Sequence, residues 1–141
     1  MLGNHPNTLE ITKDSEISRR ADCIIGVEAN KACADLHSLL VAHIKSRGRL
    51  KFVIKVKQHS FVFYGSGDSD LPLTDPREMV LRKSDFVSPR TIALRCDAAA
   101  IDLPREMIKL LQDPNTIGSM QIDAIDEWNS TNQEVPQIEF S

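Results

Sequence analysis

Leu50-Lys51-Phe52-Val53-Ile54-Lys55-Val56-Lys57 is the clearest strand in the chain. Leu50, Phe52, Ile54 and Val56 fall on one side, and Lys51, Lys55 and Lys57 on the other, because successive strand side chains point to opposite faces. The lysine side has two readings: it keeps an edge strand from pairing with strangers, or it faces an anion. Gln58-His59-Ser60 then turns the chain into Phe61-Val62-Phe63-Tyr64, the expected hairpin partner.

Upstream, Ala21-Asp22-Cys23-Ile24-Ile25-Gly26-Val27 is a short apolar run with β-branched members, which reads as a buried strand. Gly26 permits close backbone approach. The run leads into a helix predicted from about Asn30, as N-cap, to Ser46, with Cys33, Leu36, Leu39, Leu40 and Ile44 in one buried stripe. His37 and His43 flank that stripe. They are six apart rather than the four of a helical metal pair, so they read as boundary histidines. Earlier still, Thr8-Leu9-Glu10-Ile11-Thr12-Lys13 alternates and predicts a first strand with one wet face.

Downstream, the composition of Gly65-Ser66-Gly67-Asp68-Ser69-Asp70 predicts a loop. Strands are expected over 78–83, 90–96 and 120–125, and a second helix from Pro104 to about Gln112. No internal repeat is visible. The order β, β, α, β, β, β, β, α, β predicts a mainly β (α+β) fold, a β-sandwich or open-barrel-like sheet with two packed helices. Only the second β–α–β step offers a parallel crossover. The globular domain is expected over 1–128, with Trp128 near its end and 129–141 as a polar, acidic, poorly ordered tail.

Composition limits function further. At 141 residues, 41% hydrophobic and 26% charged, the chain resembles an ordinary globular protein. All 17 basic residues precede residue 113, leaving a mildly basic body before an acidic tail. That balance is compatible with an anionic ligand but is far from a nucleic-acid signature. No run approaches the roughly 20 apolar residues of a membrane span, and the first residues lack a signal-peptide pattern, so the expectation is a cytoplasmic protein with no membrane partner. Three cysteines, Cys23, Cys33 and Cys96, with no C-x-x-C pair argue against a disulfide framework or structural zinc.

The motifs His5-Pro6-Asn7, Thr8 through Asp14, Asp22-Cys23-Ile24-Ile25-Gly26-Val27, Gly65-x-Gly67-Asp68, Arg82-Lys83-Ser84-Asp85-Phe86 and Arg90-Thr91 resemble an uncharacterised archaeal family, the domain of unknown function 371. The resemblance implies an archaeal source and a mainly β, sandwich-like fold, and it implies no activity. Two departures stand out. Asn7 runs straight into Thr8 where the family has further residues including a His, and Ala21 stands where the family has Gly.

Three places can carry chemistry. Arg82, Lys83 and Ser84, joined by Arg90 and Thr91, supply forks, a point charge and hydroxyls suited to a phosphate or carboxylate. Strand alternation keeps Arg82 and Lys83 from lining one pocket together, and pairing with Asp85 or Glu78 is the plainer reading. Gly65 and Gly67 offer amides for an anion nest, with Asp68 beside them, although a plain turn fits as well. Asp22 and Cys23 with His5 suggest a hydrolase or transferase, and His5, Glu10 and Asp22 a metal, but no spacing demands either.

The reading that follows is a non-catalytic anion-binding module with Arg82 and Arg90 as clamps, Lys83 adding charge and the two glycine amides completing the pocket. Its partner is an anionic small molecule, a nucleotide or RNA, and no cofactor or metal is called for. The alternatives are the enzyme just named and a scaffold or homo-oligomer built on the lysine face and acidic tail.

Overall fold

The computed structural model describes residues 3–15, 22–125 and 137–141. Within these, β1 (Thr8–Thr12) and β2 (Ile24–Gly26) are followed by a 3-10 turn (Cys33–Asp35), α1 (Ser38–Lys45), β3 (Arg49–Val56) and β4 (His59–Ser66). Then β5 (Glu78–Arg82), β6 (Thr91–Ala93), a second 3-10 turn (Ala100–Asp102), α2 (Arg105–Leu111), β7 (Gly118–Ile125) and β8 (Gln137–Phe140) repeat that order. The fold is mainly β and sandwich-like. One sheet runs β2-β1-β5-β6 and the other β4-β3-β7-β8. Leu50, Phe52, Ile54 and Val56 are fully buried between the layers, facing Leu9, Ile11, Met79 and Leu81 of the first sheet's inner side.

The sequence shows no repeat, yet the backbone is duplicated, and matched hydrogen bonds prove it. Glu10 N–H donates to Cys23 O at 2.8 Å, and Val80 N–H to Arg90 O at 2.7 Å. Ala29 N–H donates to Thr12 O, and Cys96 N–H to Arg82 O. Glu28 (φ 52°) and Arg95 (φ 50°) occupy the left-handed region at matched places. Each 3-10 turn is closed in the same way: Asp35 accepts from Ala32 N–H at 3.0 Å and pairs with Lys13, while Asp102 accepts from Ala99 N–H at 2.8 Å and pairs with Lys83. Single two-way bridges join the sheets at both corners, Val27 with Ser141 and Leu94 with Ser66. The longest sequence trace of all this is Ala-x-x-Asp-Leu at 32–36 and again at 99–103, beside single identities such as Lys13 with Lys83 and Ser66 with Ser141. The strands diverged because packing constrains polarity and volume more than identity.

Several expectations change. The first helix starts at Ser38, because Leu36 and His37 are extended and His37 Nδ1 caps Leu39 N–H at 3.1 Å. Asn30 serves β8 instead, exchanging bonds with the Glu139 backbone. The parallel pairs are β1 with β2 and β5 with β6, not the strands flanking a helix, and among the described residues neither connection contains a helix. β3 is an interior strand, so its lysines do not protect an edge. Residues 137–141, expected as poorly ordered tail, include β8. Ile138 and Phe140 are buried there, and Gly26 makes room for the ring, since a Cβ at that position would lie 2.2 Å from Phe140 Cδ2. Ala21, Trp128 and the tail over 129–136 lie outside the described residues. Among the described residues no helix is long and apolar enough to cross a membrane.

Candidate functional site

Alternation sends Leu9, Ile11, Met79 and Leu81 into the core and turns Glu10, Thr12, Val80 and Arg82 to the outer side of the first sheet. That side is not wet, contrary to the sequence expectation. Glu10 is 6% exposed and Arg82 9% exposed, and Thr12, Val80 and Thr91 are buried with them. Buried polar groups need partners, and here they find one another.

Arg90, from the segment entering β6, donates through Nη1 to Glu10 at 2.7 Å and to Glu78 at 2.6 Å. Four hydrogen bonds to backbone carbonyls set its position: Cys33 Sγ and Val80 N–H both donate to Arg90 O, and Thr74 and Asp75 N–H donate to Pro89 O. The Cys23 thiol donates to the other Glu10 oxygen at 3.4 Å. Burial is the largest cause that pushes the Glu10 carboxyl up to about 7, followed by the hydrogen bond and charge of Glu78, with Arg90 pulling down. Burial and the Glu10 carboxylate together push the Cys23 thiol up to about 12.

Arg82 differs. Its Nε donates to Thr91 Oγ1 at 2.7 Å, its Nη2 to Ser88 Oγ at 3.4 Å, and its guanidinium carbon lies 4.8 Å from the centre of the Phe86 ring. Ser88 and Thr91 are also bonded to each other at 2.8 Å. Among the described residues no carboxylate forms an ion pair with Arg82. Burial, then the positive charge of Arg90, lower its pKa, with Glu10 acting the other way. It remains a cation.

The structure therefore brings Arg82, Arg90 and Thr91 together and adds Glu10, Glu78 and Ser88. Ser88 carried no signal in the sequence, being one hydroxyl in a short connection. Glu10 entered the sequence reading as a carboxylate in an alternating strand and as a metal ligand with His5 and Asp22, not as a partner of Arg90. Lys83 leaves the group, pairing with Asp102 at 3.0 Å on the opposite side of β5. Ser84 Oγ only accepts from Phe86 N–H within its own turn.

The Gly65–Asp68 nest does not form. Gly65 lies within β4, Gly67 N–H donates to Gly48 O at 2.8 Å, and a Cβ on Gly67 would fall 2.1 Å from Ile44 O. Those glycines allow backbones to touch, and the Asp68 carboxylate accepts from Asp70 N–H in a turn. His5 and Asp22 do meet, through His5 N–H to Asp22 O at 2.9 Å, but His5 Nδ1 is engaged with the backbone of Asn7 and Thr8. A thiol held near 12 is not the activated nucleophile that the cysteine reading requires.

The profile of the family described as "Domain of unknown function (DUF371)" matches residues 1–124. The chain belongs to that family. Among its relatives is an uncharacterised protein, MJ0206, of the archaeon Methanocaldococcus jannaschii. It is 33% identical over 109 residues, which is 77% of this chain and 81% of the relative. The match to the DUF371 family includes both sheets through Ala124 and every residue of the polar cluster.

Proposed function

We propose that the protein is a non-catalytic module binding a small oxyanion, a phosphate or carboxylate group, at Arg82. The observation that carries this reading is a buried guanidinium whose described partners are two hydroxyls and an aromatic ring, all neutral. A buried charge without a direct ion-pair partner is costly, and an anion supplied by a ligand offsets that cost. Ser88 and Thr91 place hydroxyls beside the guanidinium, and Arg90 adds a second positive charge on a side chain that is 44% exposed. Phe86 of the Ser84–Pro89 connection, whose ring faces the Arg82 guanidinium, is 60% exposed. A long RNA strand fits this reading poorly, because Arg82 is buried rather than one of a run of exposed cations along a surface.

Calorimetric titration with inorganic sulfate tests the reading. Native protein binds it, and Arg82→Gln weakens binding by about 10- to 100-fold, the effect of losing one charge-assisted hydrogen bond. Equal binding by both proteins would assign the sulfate to surface lysines and end the reading.

A further inference from the structure

The polar cluster holds two guanidinium groups, Arg82 and Arg90, and two carboxyl groups, Glu10 and Glu78. If both carboxyls are ionised the four charges cancel. An added anion then leaves a net negative charge beside Glu10, which is only 6% exposed. With one carboxyl protonated the cluster is singly positive, so a monoanion is balanced and a dianion such as sulfate leaves one negative charge rather than two. We propose, resting on the anion-binding reading above, that the site takes up its oxyanion together with one proton, the anion on Arg82 and the proton on Glu10.

The geometry favours this coupling. Glu10 and Glu78 occupy diagonal positions on antiparallel β1 and β5, since Glu10 stands opposite Val80 and Thr12 opposite Glu78. Both accept from one nitrogen of Arg90, so a single cation serves two acids. Carboxyls crowded in this way do not both ionise readily. Glu10 is the proton's place because it is the more buried of the two, with side-chain exposures of 7% and 28%.

The charged and titratable groups around Glu10 are Glu78 and Arg82 from β5, Arg90 from the segment entering β6, and Cys23 from the segment entering β2. Cys23 stays a neutral thiol over the working range. Glu10, titrating near 7, is the group that exchanges a proton at neutral pH. The proton comes from solvent, and no bond of the ligand breaks.

Sulfate is a suitable probe because its own charge is constant near neutral pH. Its affinity for the native protein falls about tenfold from about pH 6 to about pH 8, as a group titrating near 7 requires. The binding enthalpy near pH 8 then varies with the ionisation enthalpy of the buffer, reporting uptake of close to one proton. Glu10→Gln flattens both dependences. If sulfate binds native protein, fails on Arg82→Gln, and shows equal affinity at both pH values with no proton uptake, the coupling is overturned while anion binding stands. If native protein binds no better than Arg82→Gln at about pH 6, both fall. Should Glu10→Gln not fold, carbon NMR of the Glu10 carboxyl in native protein decides the coupling. Its titration moves upward with sulfate if proton and anion enter together, and stays in place if they do not.

Discussion

The two halves of the molecule share a backbone and differ in chemistry. At matched places the first half has Thr8, Thr12, Cys23 and Ile24, where the second has Glu78, Arg82, Arg90 and Thr91. Glu10 and Val80 are both counterparts and register partners, so the pseudo-twofold axis passes between them. On one side of the axis stands a buried acid, on the other an apolar side chain. Duplication supplied two equivalent sets of outer positions, and the charged set draws Glu10 from the first half and Glu78, Arg82 and Arg90 from the second. The difference teaches that the scaffold does not require the cluster: the first half holds the same strands in place with threonine and isoleucine.

The largest effect is expected where the halves exchange volume at the sheet corners. Phe140 of β8 fills the space opened by Gly26, while the counterpart corner places Gly65 against Ala93 and Cys96. Phe140→Ala is expected to cost about 3–5 kcal/mol, read from the shift in urea midpoint. A loss below about 1 kcal/mol would show that β8 is not part of the cooperative core.

The next effect belongs to the charged side alone. The folded carboxyl of Glu10 titrates near 7, against 4.5 in the unfolded chain, so the folded state binds the extra proton between those values. Its contribution is fully present below about 4.5 and is lost as pH rises through 7, a decline of about 3 kcal/mol. Stability curves of native protein and Glu10→Gln should therefore diverge over that window and run parallel above it. Parallel curves throughout would mean that Glu10 is ionised in both states.

The smallest effect tests the equality of the halves. Asp35→Ala and Asp102→Ala each remove a turn-closing acceptor and an exposed ion pair, and each is expected to cost about 1 kcal/mol. Their double variant should lose the sum, because they sit in separate turns. Both carboxyls are held below the ordinary range, Asp35 chiefly by Lys13 and Asp102 chiefly by the Ala99 amide. That contribution is present above about 3.8 and is lost as pH falls further.

Much of the fold was legible in the sequence because its signals are local. Alternation at Leu50–Val56 and the apolar run at Ile24–Gly26 place two strands directly, and the order of the first seven strands and both helices follows from similar patterns. β8 escaped because four residues in polar company carry little pattern, and its burial depends on Gly26, more than a hundred residues away. The duplication escaped because Ala-x-x-Asp-Leu is the longest stretch shared by the two copies, and the other identities are single and scattered. At the site, Arg82, Arg90 and Thr91 stood out as cations and a hydroxyl near strand ends. The partnership of Arg90 with Glu10 and Glu78 did not, because it depends on β1 and β5 being neighbours, and sequence spacing does not encode strand order. The glycine motif misled for a related reason: Gly67 meets the carbonyl of a helix that lies far away in the chain.

Each half contributes two strands to each sheet, and the inner strands β1 and β3 find their second neighbours, β5 and β7, only in the other half. Detached, either half would present two bare strand edges and an uncovered apolar face. Unfolding is accordingly a property of the pair, without a stage at which one copy stands complete while the other is lost.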